Sequence, residues 1–257
     1  MPRLKRDADA PATVQAKKQR PALSENAAQA QAQAQACVDE YFDRFRNRNE
    51  RNGTNARGGG TQTVTDATIM QSLRELRSLK GPKAGAALHR FLVAYGVVRT
   101  FAGLGKLDAP GKYKKLAPLA AKLIEAHKRH KIHEVLVAAV MAACKDAGFG
   151  SNLSFATKAL CMLGNKLPIY SSESVAYLKK FHGHRVDRVA SLNDHYIYYL
   201  VWNHAFDEVR SEYIAAARRR LGQHSETKAL EDELGAEWFA MRGFDVHLMA
   251  VGGPLRK

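Results

Sequence analysis

LAPLAAKLIEAHKRHKIHEVLVAAVMAA, residues 116–143, is strongly helical from end to end, with a break expected at Pro118 or near Lys131. Proline lacks the N–H that a helix interior needs, and its ring crowds the preceding turn. Gly148-Phe149-Gly150 then ends the run. Little of this stretch, or of the rest of the chain, alternates at period two. The Gly/Asn/Asp pairs between β-branched runs that mark hairpins are absent too. The chain therefore reads as all-α: a single compact domain of seven to nine helices around one core. No internal repeat at a period of 20–50 residues points to a solenoid.

The same reading extends outward in both directions. Upstream, Thr65-Asp66 caps a helix through Ile69, Leu73, Leu76 and Leu79, and Gly81-Pro82 ends it. A second helix over about 83–99 turns Leu88, Phe91, Leu92 and Tyr95 to the core, and 101–110 is a glycine-rich turn region. Downstream, 154–163 reads as a short buried helix and Pro168-Ile169-Tyr170 as extended. Ser171 or Ser172 caps a helix through Val175 and Leu178. Residues 190–221 read as one long aromatic-rich helix, and 226–251 as the last. Nearer the start, 1–36 read as a disordered tail. The segment 37–60 reads as a helix with a glycine-rich linker, its apolar stripe being Val38, Tyr41, Phe42 and Phe45. The alanines and glutamines of 27–36, good helix formers, could extend that helix. The helical domain is expected over 61–257.

The chain has 257 residues and a formal net charge of +15. That charge biases its partners toward polyanions, DNA or RNA first, because Lys and Arg gain affinity by releasing counterions from phosphate. The plainer alternative is a protein that is merely basic. Lys5-Arg6, ten residues, then Lys17-Lys18 and Arg20 resemble a bipartite nuclear localisation signal. The resemblance implies a nuclear import receptor as partner and the nucleus as address; the plainer alternative is a soluble basic leader. Cys37, Cys144 and Cys161 are far apart and odd in number, against a disulfide framework or a zinc knuckle. No apolar run approaches the ~20 residues of a membrane span. His127, His130 and His133 mimic a metal site only in part. The i+6 member rotates away by ~120°, so no metal and no cofactor is expected.

The strongest internal basic cluster is Lys112, Lys114 and Lys115, followed by Lys122, Lys128, Arg129 and Lys131, with only Glu125 to offset it. A solvated face is the plain reading, and a phosphate-tracking surface the sharper one. Gly103-Leu104-Gly105-Lys106 and Gly148-Phe149-Gly150 are Gly-x-Gly turns between helices. Such turns can aim backbone N–H groups at phosphate; they also serve as ordinary helix C-caps. Lys106, Gly148 and Gly150 join the candidate nucleic-acid contacts on this basis. No GxxxxGK[ST] is present, so P-loop hydrolysis is unsupported.

Ser154-Phe155-Ala156-Thr157-Lys158, a short apolar stretch, then Pro168-Ile169-Tyr170-Ser171-Ser172 resemble the helical proteins related to helix-hairpin-helix DNA glycosylases. Arg242 to Met249 looks like the closing helix of those relatives. The resemblance covers about 85–252. It implies the glycosylase helical fold, a lysine nucleophile at Lys158 acting on a flipped nucleotide, and a carboxylate after Pro-Ile-Tyr. That position is Ser171 here, and Glu173 is the carboxylate two residues on. Lys158 would need a depressed pKa to attack at neutral pH; its structural alternative is a snorkelling lysine. The aromatics from His195 to Phe206 fit a core stripe better than a base-stacking platform. Arg218-Arg219-Arg220 suit the end of their helix and could extend the basic face. The function expected is a nuclear nucleic-acid-binding protein on a glycosylase-like scaffold without full glycosylase activity. The alternatives are a base-excision glycosylase/lyase using Lys158, and a non-enzymatic nuclear interaction protein.

Overall fold

The computed structural model describes residues 27–46, 65–129, 132–183 and 191–252, and their regular elements are all helical. In order these are α1 Ala27–Arg46, α2 Asp66–Glu75, α3 Gly81–Ala94, α4 Ala109–Arg129 and α5 His133–Asp146. They continue with α6 Leu153–Met162, α7 Ser172–His182, α8 Leu192–Asp207, α9 Arg210–Arg220 and α10 Lys228–Gly252. Two single 3-10 turns, Val98–Thr100 and Leu104–Lys106, join α3 to α4. The all-α expectation is correct. The import-signal residues Lys5, Arg6, Lys17, Lys18 and Arg20, and also Lys131, lie outside the described residues.

Helix starts follow side-chain chemistry. Thr65 Oγ1 accepts the Thr68 N–H at 3.1 Å and Ser171 Oγ accepts that of Ser174 at 3.1 Å. Ser191 and Asp194 close a reciprocal capping box on α8. α2 stops at Glu75, short of Leu79 and of Gly81-Pro82, which instead opens α3, where a proline in the first turn sacrifices no helical bond. The break in the 116–143 run falls at Ile132, the extended N-cap residue of α5, and Pro118 stays inside α4. Pro118 and Lys114 are both exposed, so the Lys114 carbonyl that Pro118 cannot bond faces water. The long helix expected over 190–221 is two. At Val209, buried and non-helical (φ −129°, ψ 10°), the chain turns from α8 into α9. Gly235 (φ 74°) kinks α10.

The core is built around α10. α1 lies across it, with the Phe42 ring stacked on Phe239 at 4.3 Å and Phe45 edge-on to Phe239 at 4.9 Å. The crossing is close enough that a Cβ on Gly243 would stand 2.6 Å from Val38 Cγ2. α1 therefore belongs to the domain core. Its helix begins at Ala27, within the segment expected to be tail, and Ala34 is already fully buried. The expected start at Thr61 leaves this helix out. The apolar stripe had been seen, but no sequence signal said what would cover it.

Candidate nucleic-acid interface

Two segments meet at Phe149, and a third joins them through Phe101. Its ring packs on Phe101, from the turn region before α4, at 4.8 Å, and Lys115 Nζ of α4 lies 4.8 Å above it. Phe101 meets Phe155 of α6 edge-on at 5.1 Å. Asn152, the N-cap of α6, accepts the Phe155 N–H at 3.0 Å and donates to Thr100 Oγ1. The Lys106-bearing turn, the start of α4, the Gly148–Gly150 turn and the positive end of α6 thus form one region. α4 is held there by its contact with α3: a Cβ on Gly85 would lie 1.8 Å from the Tyr113 carbonyl oxygen. Lys106, Lys114 and Lys145 are exposed; Lys112 and Lys115 are half-buried. Burial, helped by the Lys112 charge, holds His89 below the usual histidine range.

The predicted basic cluster does not stay together. Lys115 and Lys128 are separated by about 20 Å along α4 at 1.5 Å per residue. Lys122 pairs with Asp146 at 2.6 Å, and Arg129 with Glu125 at 2.7 Å. Lys115 therefore lies at the glycine turn and Lys112 near His89 of α3, whereas Lys128 and Arg129 sit at the other end of the α4–α5 hairpin. Gly148 and Gly150 both have left-handed φ (77° and 72°). The Gly148 N–H bonds the Lys145 carbonyl at 2.9 Å and the Phe149 N–H that of Cys144 at 3.0 Å. Two of the turn's three amides are thus spent on the end of α5.

α6 is buried on every side except at Ser154 and Lys158, both half-buried. Lys158 is thus one of two half-buried positions on an otherwise buried helix. The position where the resemblance implies an aspartate is the N-cap of α7. There the Ser171 hydroxyl serves Ser174, as an aspartate side chain could also do. Glu173 is in the first turn of α7, half-buried, with its carbonyl against Gly252.

The segment after α6 is pinned from α10, which sequence reasoning missed. Buried Arg242 donates from Nη2 to the Leu167 carbonyl at 2.6 Å and from Nη1 to Cys161 Sγ. Asp245, 3.2 Å from Arg242, accepts the Trp202 indole N–H at 3.1 Å. Burial pushes Asp245 up to about 6 against the pull of Arg242, and pushes the Cys161 and Cys144 thiols up to about 12. Those two thiols are not nucleophiles at neutral pH. The available signal was an i, i+3 Arg/Asp pair inside an apolar run, where ions occur paired.

Of the expected core stripe Tyr198, Tyr199, Trp202 and Phe206, all but the half-buried Tyr199 are core. Arg220 is drawn onto α1 by Asp39 and Asp43, so it does not extend the basic face. His127 and His133 serve different elements, Asn165 and Tyr199 respectively. Among the described residues no His/Cys/Asp/Glu group could hold a metal ion, and no helix is long and apolar enough to cross a membrane. No family model, curated protein or solved structure matches the chain.

Proposed function

We propose that the protein binds nucleic acid in the nucleus, on a scaffold that resembles the helix-hairpin-helix DNA glycosylases but lacks their full catalytic pair. The observation that carries this is the convergence on Phe149. There Lys115 lies over the Phe149 ring beside a glycine turn, and Lys106, Lys112, Lys114 and Lys145 belong to the segments that adjoin it. Cations on exposed stems beside a helix N-terminus suit phosphate. The +15 net charge supports the same partner. Ser171, in the position implied for a carboxylate, cannot stabilise a developing cation, which argues for binding without excision.

The test is duplex DNA affinity against salt concentration. Each phosphate contact contributes about −0.9 to the slope of log K on log salt. Replacing Lys112, Lys114 and Lys115 by Ala should flatten the wild-type slope by about 2 to 3 and leave the helical spectrum unchanged. A wild-type slope near zero would sink the proposal. Excision through Lys158, favoured only by its half-buried place on an otherwise buried helix, predicts a borohydride-trapped DNA adduct that Lys158→Ala loses. The import reading predicts that residues 1–26 carry a fluorescent fusion into the nucleus; an even distribution through the cell contradicts it.

A further inference from the structure

Large exposed hydrophobic side chains are concentrated on one face. Of the seven among the described residues, Leu192, Tyr196 and Leu200 belong to α8, and Ile132 and Val135 to the start of α5; only Val93 and Val251 lie elsewhere. The two helices touch there, where the His133 and Tyr199 rings stand edge-on at 5.9 Å. Leu192, Tyr196 and Leu200 recur at i, i+4 and i+8, so they line one side of α8. Tyr198, Trp202 and Phe206 fill the core from the other side. A solvent-facing helix side is ordinarily polar, and a contiguous apolar patch marks an interaction site.

The make-up of the face indicates what covers it. Four of the five side chains are aliphatic, which suits another apolar protein surface and offers nothing to a phosphate. The charges around it are of both signs: Glu134 and Asp194 on the two helices, and Lys128 in the last turn of α4. A patch that meets its own copy across a twofold axis must be self-complementary. A rim of both signs meets that condition, where a purely cationic rim would repel its copy. The stripe has the required symmetry. Tyr196 stands midway between Leu192 and Leu200, which are about 12 Å apart along the helix. An antiparallel α8 centred on Tyr196 therefore lays Leu192 on Leu200 of the copy.

The area is also that of a homodimer contact. Each of the five side chains is 43 to 63% exposed. At roughly 200 Å² for a fully exposed large side chain, they present on the order of 500 Å² per copy. A stable interface takes about 800 Å² from each partner, and in homodimers about 65% of it is apolar, or about 500 Å². Asn193 and His204, exposed on the same helix, add to the polar remainder. The net charge of +15 opposes pairing, but charges away from the face are screened beyond about 8 Å at physiological salt.

We propose that α8 and the start of α5 form a twofold interface with a second copy of this chain, α8 packing antiparallel on α8 about Tyr196. The contact is independent of the nucleic-acid reading above.

The experiment is sedimentation equilibrium on the full-length, nuclease-treated protein over about 1 to 100 μM, a range in which interfaces of this size associate. The wild-type mass should rise from 28.4 kDa toward twice that value. Association should hold or tighten as salt rises, because screening relieves the repulsion between copies. Leu192→Glu and Leu200→Arg should each weaken pairing at least tenfold, since each sets a charge against leucine. The double variant should regain it, with Glu facing Arg across the axis. Within one chain those positions are about 12 Å apart, so the recovery reports the copy. A mass that stays at 28.4 kDa throughout overturns the proposal. So does a dimer that neither single variant weakens, since its contact lies elsewhere. A dimer lost in both single variants and not regained in the double overturns the antiparallel pairing. A mass that falls as salt rises marks copies bridged by a polyanion and likewise overturns it. Both leucines are about half in solvent, so the substitutions leave the fold intact, which circular dichroism checks.

Discussion

Arg46→Met should cost the fold about 3 kcal/mol. Arg46 ends α1 and reaches into the α9–α10 corner. Its Nε and Nη2 donate to the two carboxylate oxygens of Glu231 at 2.7 and 2.8 Å, and Nη2 also donates to the Arg220 carbonyl at 2.7 Å. Both side chains are almost fully buried. Breaking a buried pair by removing one partner costs about 3–5 kcal/mol, because the other charge is left without compensation. Two features place this case at the low end. Glu231 keeps donors from Thr227 Oγ1 at 2.6 Å and the Gly222 N–H at 2.9 Å. The substitution also removes the buried Nη1, which has no hydrogen-bond partner among the described residues. Methionine fills the space of the stem but loses the guanidinium that lies 4.5 Å over the Phe42 ring. The assay is urea unfolding followed by tryptophan fluorescence, since Trp202 and Trp238 are both fully buried. The midpoint should fall with the m-value unchanged, and Arg46→Met with Glu231→Gln should recover at least half of the loss. Burial raises the Glu231 pKa, but bonds from Arg46, Thr227 and Gly222 outweigh it and hold the carboxyl below the usual range. A depressed carboxyl stabilises the fold above its unfolded pKa and loses that contribution as pH falls through its folded value. The gap between wild type and Arg46→Met should therefore narrow in acid. A loss under 1 kcal/mol, or a double variant no better than the single, would refute the claim that α1 is fastened into the core through this pair.

Two further outcomes follow from buried groups. Burial pushes His195 and His247 down to about 4, so the unfolded chain takes up a proton on each below about 6.5 while the fold resists. Stability is then present above pH 6.5 and should drop by about 2 kcal/mol per histidine between pH 7 and pH 5; a urea midpoint unchanged over that interval contradicts it. Gly85→Ala drives a Cβ to 1.8 Å from the Tyr113 carbonyl oxygen, so α3 and α4 must separate at a cost of about 1–3 kcal/mol; a Tm within a degree of wild type tells against that contact.

What the sequence disclosed was local chemistry. The caps at Thr65 and Ser171 act as read, because a cap is a bond across three residues; on α8 the cap is Ser191, three residues before Asp194. Of the aromatic stripe of α8, helical period places Tyr198, Trp202 and Phe206 on the buried side, but Tyr199, one position round from Tyr198, is only half-buried. The failures are tertiary. Val38, Tyr41, Phe42 and Phe45 announce a buried face but not that α10, some two hundred residues on, supplies its cover through Gly243. The turn at Val209 carries no glycine or proline; it follows from burying valine there. Lys112 to Lys131 reads as one cationic run, but two of its members are spent on Asp146 and Glu125, and its ends are parted by the length of a helix. Nothing local marks Phe149 as the ring on which Phe101 and Lys115 both pack.

The geometry of the α4–α5 hairpin gives those separated charges a common purpose under the proposed reading. Lys115 and Phe149 mark one end of it; Lys128 and Ile132 mark the other. α5 spans His133–Asp146, about 20 Å at 1.5 Å per residue. Duplex DNA advances 3.4 Å per base pair, so the two ends are about six base pairs apart. Under that reading, phosphates about six base pairs apart meet the two ends together, and each contact raises the effective concentration of the other. Affinity should then fall steeply when a duplex is cut below about six base pairs; a gradual loss tells against a two-ended contact.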